Sequence, residues 1–124
     1  PISTGAYYED QRDAAVQRAR AFREERIPKY LNWFERVLQR NPAGSSHLVG
    51  DVLTYADLSL FQLVDGLRYA FPKSAAKALA ATPAVGKLHE NIKRRQRVRA
   101  YLQSPRRIAF NEDGIFRRYA ELDG

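Results

Sequence analysis

The feature that most constrains this chain is the run Leu53-Thr54-Tyr55-Ala56-Asp57-Leu58 and the apolar stretch it opens. Thr54 followed three residues later by Asp57 has the form of a helix capping box. Leu53 before the cap, with Leu58 at the fourth helical position, has the form of a hydrophobic staple. Beyond the box, Leu58, Leu60, Phe61, Leu63, Val64, Leu67 and Phe71 cover more than one face of a helix expected from Tyr55 to about Phe71. A helix that is apolar on several sides must be enclosed by others. The expectation is therefore an all-α domain of about five helices around a buried central helix. With 124 residues, 44% of them apolar and 28% charged, the chain is long enough for one domain with its own core and is not of disordered composition.

The flanking helices follow from spacing and punctuation. From about Tyr8, Ala15, Ala19, Phe22, Ile27, Tyr30, Leu31, Phe34, Val37 and Leu38 recur at three- and four-residue steps, one apolar stripe. The stripe keeps phase across Pro28, which predicts a long helix kinked there and ending by Gln39; the alternative is two helices, with Pro28 starting the second. Asn41 to Ser46 reads as loop. Pro72 stops the central helix, an alanine-rich helix runs from Ser74 to Ala81, and Thr82-Pro83 reads as a cap with a first-turn proline for the next. A short helix around Val98, Tyr101 and Leu102 stops at Pro105. Within the central helix, Asp65 is expected to pair with Arg68, and Gly66 to allow a close helix–helix approach. The tail from Arg106 to Gly124 carries Ile108, Phe110, Ile115, Phe116 and Tyr119. It is expected to pack on the bundle or on a partner surface.

Composition narrows the chemistry. There is no Cys, which excludes disulfides, thiolate metal sites and a thiol nucleophile. The chain opens on Pro1 and contains no Met, so it is expected to be a piece of something longer. The stretch Leu58 to Leu67 is too short to span a bilayer, and no membrane partner is expected. His47 and His89 lie in different elements without carboxylates at ligand spacing, so no metal site is expected. Glu24 and Glu25 are adjacent on a helix and cannot face each other as an acid–base pair. No glycine-rich phosphate loop is present. Of the net charge of +7, most lies in residues 83–124, with its densest run at Lys93, Arg94, Arg95, Arg97 and Arg99. Such a run is either a phosphate-binding stripe or a solvated helix end whose cations suit the dipole. Without interleaved aromatics, nucleic acid is not expected as a partner.

The segment from Leu48 to Phe61, Leu-Val-Gly-Asp-Val-Leu-Thr-Tyr-Ala-Asp-Leu-Ser-Leu-Phe, resembles the signature leading into the central helix of the C-terminal domain of glutathione S-transferases. In that family, too, the Thr and Asp form the capping box. Pro28-Lys29-Tyr30-Leu31 with Phe34-Glu35-Arg36-Val37-Leu38 resembles the family's long helix. Thr82-Pro83-Ala84-Val85 and Val98 to Ser104 resemble its last two helices, and Arg107 to Phe116 resembles the tail of bacterial members. Gln96 stands where many members have proline, which blurs that boundary.

The resemblance implies a C-terminal helical domain over residues 1–105, lacking the first family helix, and a tail over 106–124 packed on the bundle or on an absent thioredoxin-like N-terminal domain. That absent domain would bind glutathione and activate its thiol, so this chain alone is expected to be inactive and to hold no cofactor. The full-length parent would conjugate glutathione, as co-substrate, to small electrophilic apolar molecules, as a homodimeric detoxification enzyme of the cytoplasm. Tyr7, Tyr8, Phe110 and Phe116 are the candidates for one wall of the acceptor pocket, while Thr54 and Asp57 are structural. Helical domains of this type also resemble those in the gamma subunit of translation elongation factor one and in aminoacyl-tRNA synthetases. The alternative is therefore a non-catalytic module that docks proteins or tRNA.

Overall fold

The computed structural model describes residues 8–124, with side chains from Asp10 onward. Among the described residues every regular segment is helical and no strand occurs. A 3-10 turn (Tyr8–Gln11) leads into α1 (Arg12–Ala21). A π-helical turn (Phe22–Arg26) joins α1 to α2 (Ile27–Arg40), and α3 (Tyr55–Ala70), α4 (Pro72–Ala81), α5 (Pro83–Arg94) and α6 (Gln96–Leu102) follow. The tail closes with a 3-10 turn, Ala120–Leu122. Counting α1 through α2 as one rod, the described residues form five α-helices, as the periodicity predicts.

The rod shows what Pro28 does. A proline supplies no N–H and crowds the carbonyl four residues before it. Here the helix widens in the turn ahead of the proline, and the Ile27 N–H reaches the Phe22 carbonyl five residues back. The irregularity thus sits just before Pro28, and the apolar stripe continues through it: Ala15, Ala19, Ile27, Leu31 and Leu38 are buried. Tyr30, at 47% exposure, leaves the stripe.

The core joins Ile27, Leu31 and Leu38 of α2 to Leu60, Phe61, Val64 and Leu67 of α3, Ala75 and Ala78 of α4, and Val85, Leu88 and Ile92 of α5. Helix α3 supplies the largest share of these side chains, while α5 packs against α2, α3, α4 and α6. One face of α3 does reach solvent, where Leu58 is 39% exposed. The box at its start is in register. Asp57 Oδ2 accepts the Thr54 N–H at 2.9 Å, whereas Thr54 Oγ1, though turned toward the Asp57 N–H, is too loosely placed to make a full hydrogen bond.

Three boundary readings are corrected. Pro72 ends α3 and is also the first residue of α4, because a helix's first turn does not need the missing N–H. Thr82 does not cap α5: its hydroxyl turns back to donate to the Ala78 carbonyl at 2.9 Å. The cap comes instead from α2, where the buried Glu35 carboxylate accepts the Ala84 N–H at 3.1 Å and the Val85 N–H at 2.9 Å. A carboxylate suits the positive end of a helix dipole and satisfies two otherwise unpaired donors. Finally, the α5–α6 break is sharp without a proline, because Arg95 adopts an extended backbone with ψ of 132°.

Candidate functional site

Three polar and aromatic clusters lie along α3. At its start the fully buried Asp57 carboxylate gathers the loop. Besides Thr54, it accepts the Leu48 N–H at 2.8 Å and lies 3.2 Å from His47 Nδ1. Asn41 closes the same loop by donating to the carbonyls of His47 and Gly50, both at 2.8 Å. Gly50 has φ of +64°, a turn conformation open to glycine at no steric cost.

Midway along α3, Asp65 does not pair with Arg68. Its Oδ1 lies 3.1 Å from His89 Nε2 on α5, and its Oδ2 accepts from Arg107 Nη2 of the tail at 2.9 Å. The hydrogen bond from His89 holds the Asp65 carboxyl below the ordinary range. The charges of His89, Arg107 and Lys93 add to this, against burial, which acts the other way. Arg68 points instead to Glu90 at 2.9 Å and lies 3.3 Å from His89 Nδ1. His89 is 1% exposed and stacks on Phe61 with centroids 4.8 Å apart. Both ring nitrogens are engaged, so this histidine acts as a structural crosslink and is not placed as an accessible base.

The last turn of α3 meets the tail. Phe110 stacks on Tyr69 at 4.8 Å and meets Phe116 edge-on at 5.9 Å, with the Arg107 guanidinium 5.1 Å above the Phe110 ring. The Phe116 ring lies so close over Gly66 that a Cβ there would collide with it. Gly66 therefore admits a tail aromatic, not a second helix as the sequence suggested. Ile108 and Ile115 remain exposed. The tail ends by capping α4: Asp123 accepts the N–H groups of Lys73 at 2.8 Å and Ser74 at 3.1 Å. Burial pushes the Asp123 carboxyl up, but these bonds outweigh it and its pKa falls below the usual value.

Of the four wall candidates, Phe110 and Phe116 come together on α3. Tyr7 and the side chain of Tyr8 lie outside the described residues. Sequence reasoning missed Tyr69, Glu35, Asp65, His89 and Arg107 as partners. The only local signal was an acidic residue inside an apolar helix face. Among the described residues no cluster of three or more potential metal ligands occurs, and no helix is long and apolar enough to cross a membrane.

Comparison with known proteins decides the family. A profile described as "Glutathione S-transferase, C-terminal domain" matches residues 1–105. The chain belongs to the glutathione S-transferase family. Glutathione S-transferases of Plasmodium yoelii yoelii and Plasmodium falciparum are 39% and 36% identical to it over 56 and 62 residues, covering 45% and 47% of this chain. Glutathione S-transferase P 1 of Xenopus laevis is 30% identical over 81 residues, 65% of the chain. These stretches cover 26%, 29% and 36% of the respective relatives, so the chain corresponds to a minor part of a glutathione S-transferase of that length, its helical C-terminal domain.

Proposed function

We propose that the full-length protein conjugates glutathione to small, apolar electrophiles, and that this domain supplies one wall of the acceptor pocket. Family membership supports the reaction class. The observation that carries the domain's role is the Tyr69–Phe110–Phe116 cluster, an aromatic surface beside exposed Ile108 and Ile115. In the reaction the glutathione thiolate attacks the electrophilic carbon, a sulfur–carbon bond forms, and the leaving group departs with its electron pair. A lowered thiol pKa is what makes the sulfur reactive, and a thioredoxin-like N-terminal domain would provide that activation. Phe110 and Phe116, with Tyr7 and Tyr8 from the N-terminal segment, would hold the acceptor by dispersion and apolar burial. In this reading residues 1–105 belong to the helical domain and 106–124 are its tail, which the contacts of Arg107, Phe110, Phe116 and Asp123 with the bundle support. A homodimer working in the cytoplasm in detoxification completes the reading.

The test uses the full-length parent on immobilised glutathione and in turnover with an aryl halide. Retention on the column and glutathione-dependent release of halide are expected; neither occurring contradicts the reading. A second reading has one observation behind it: Lys93, Arg94, Arg95, Arg97 and Arg99 are all exposed. A protein- or tRNA-docking role would show as RNA binding that weakens steeply with salt. Absence of binding at low ionic strength removes that alternative.

A further inference from the structure

We propose that Arg107 is a positioning residue for the acceptor wall, clamping the tail to Asp65 so that Phe110 is held against Tyr69. The inference rests on the acceptor-wall reading and goes beyond it by naming what aims the wall. Arg107 acts in two directions at once. Its Nη2 donates to Asp65 Oδ2 at 2.9 Å, and its guanidinium carbon sits 5.1 Å over the Phe110 ring. An exposed ion pair would hold little, but this one is anchored from the interior. The other Asp65 oxygen is bonded to His89, which is itself buried and stacked on Phe61. A rigid chain of contacts thus runs from the core through His89, Asp65 and Arg107 to Phe110.

The tail needs such an anchor. Residues 103–119 contain no helix, and Ile108 and Ile115 give the segment little apolar burial at 84% and 96% exposure. Competing partners are already committed. Arg68, one turn beyond Asp65, is taken by Glu90, and Lys93 contributes only its field at Asp65. Arginine suits the position because its planar group can bond a carboxylate in its plane and lie over a ring with its face. Lysine can offer only a point charge.

The test is steady-state kinetics of the full-length parent with an aryl halide and glutathione varied separately. Arg107→Ala should raise the KM for the aryl halide by about five-fold, the scale set by one partly buried charge pair, and leave the KM for glutathione unchanged. In an enzyme already carrying Phe110→Ala, removing Arg107 should add nothing, because Arg107 works through that ring. Arg107→Lys should fall between wild type and the alanine variant. It also decides the matter if the alanine protein does not fold: a raised acceptor KM supports the clamp and a wild-type value overturns it. An active enzyme whose acceptor KM ignores Arg107→Ala, or in which the two substitutions add in full, overturns the clamp alone. A wild-type parent with no glutathione-dependent turnover sinks the acceptor-wall reading and the clamp with it.

Discussion

Asp57 shows how much one side chain can organise. It is fully buried, yet its two oxygens bond the Thr54 and Leu48 N–H groups and approach His47. Asp57→Ala would leave two part-buried donors unpaired as well as removing the cap, at a combined cost of about 3 kcal/mol. The melting temperature should drop by on the order of 10 °C in a circular-dichroism melt, and an unchanged melt would contradict this role. Asp65 gives a pH-dependent counterpart. Its carboxyl is held below the ordinary value of 3.8, chiefly by the bond from His89. Its stabilising contribution is therefore full above that ordinary value and is lost as pH falls through the lowered folded value. In acid titrations of stability, wild type should lose its advantage over Asp65→Asn only below about pH 4. A gap that closes nearer neutrality would exclude this assignment.

At the scale of elements, the helices were legible where their signals are local. The Thr54–Asp57 spacing, the stripe from Ala15 to Leu38 and the proline at 83 depend on neighbours within a turn or two, and each lies where its pattern placed it. What was illegible is the joinery between elements. Glu35 caps a helix that starts almost fifty residues later, and Asp123 caps one that began about fifty residues earlier. No spacing rule connects them, since the fold alone brings them together. Thr82 misled because a local cap was chemically reasonable and a better-placed carboxylate displaced it. Asp65 misled in the same way, with Arg68 one turn away on the same helix but turned to Glu90. Gly66 offers a sharp test of how the tail meets α3. Glycine-to-alanine in a helix interior ordinarily stabilises by up to about 1 kcal/mol. Here the new methyl would strike the Phe116 ring, so Gly66→Ala should lower the melting temperature. The same change made in a Phe116→Ala background should raise it. If Gly66→Ala stabilises with Phe116 in place, the tail does not lie where it is described.

At the scale of the whole molecule, the domain is an α bundle in which the buried Glu35 carboxylate locks α2 to α5 and whose tail returns along α3 to cap α4. The candidate site was only half legible. Phe110 and Phe116 stood out as large rings in an irregular segment, but their platform, Tyr69 and Gly66, lies on a helix forty residues earlier. The charge that aligns them is likewise paired across that distance. Both histidines are tied to aspartates, His47 to Asp57 in the loop before α3 and His89 to Asp65 between α5 and α3; under the proposed reading this domain shapes the substrate site and thiol activation falls to another part of the protein. The most direct test of that division of labour is the kinetics of Phe110→Ala in the full-length parent. The account predicts a KM for the apolar electrophile raised by roughly ten-fold, the worth of one large ring contact, with the KM for glutathione unaltered. An unchanged electrophile KM, or a shift confined to glutathione, would contradict it.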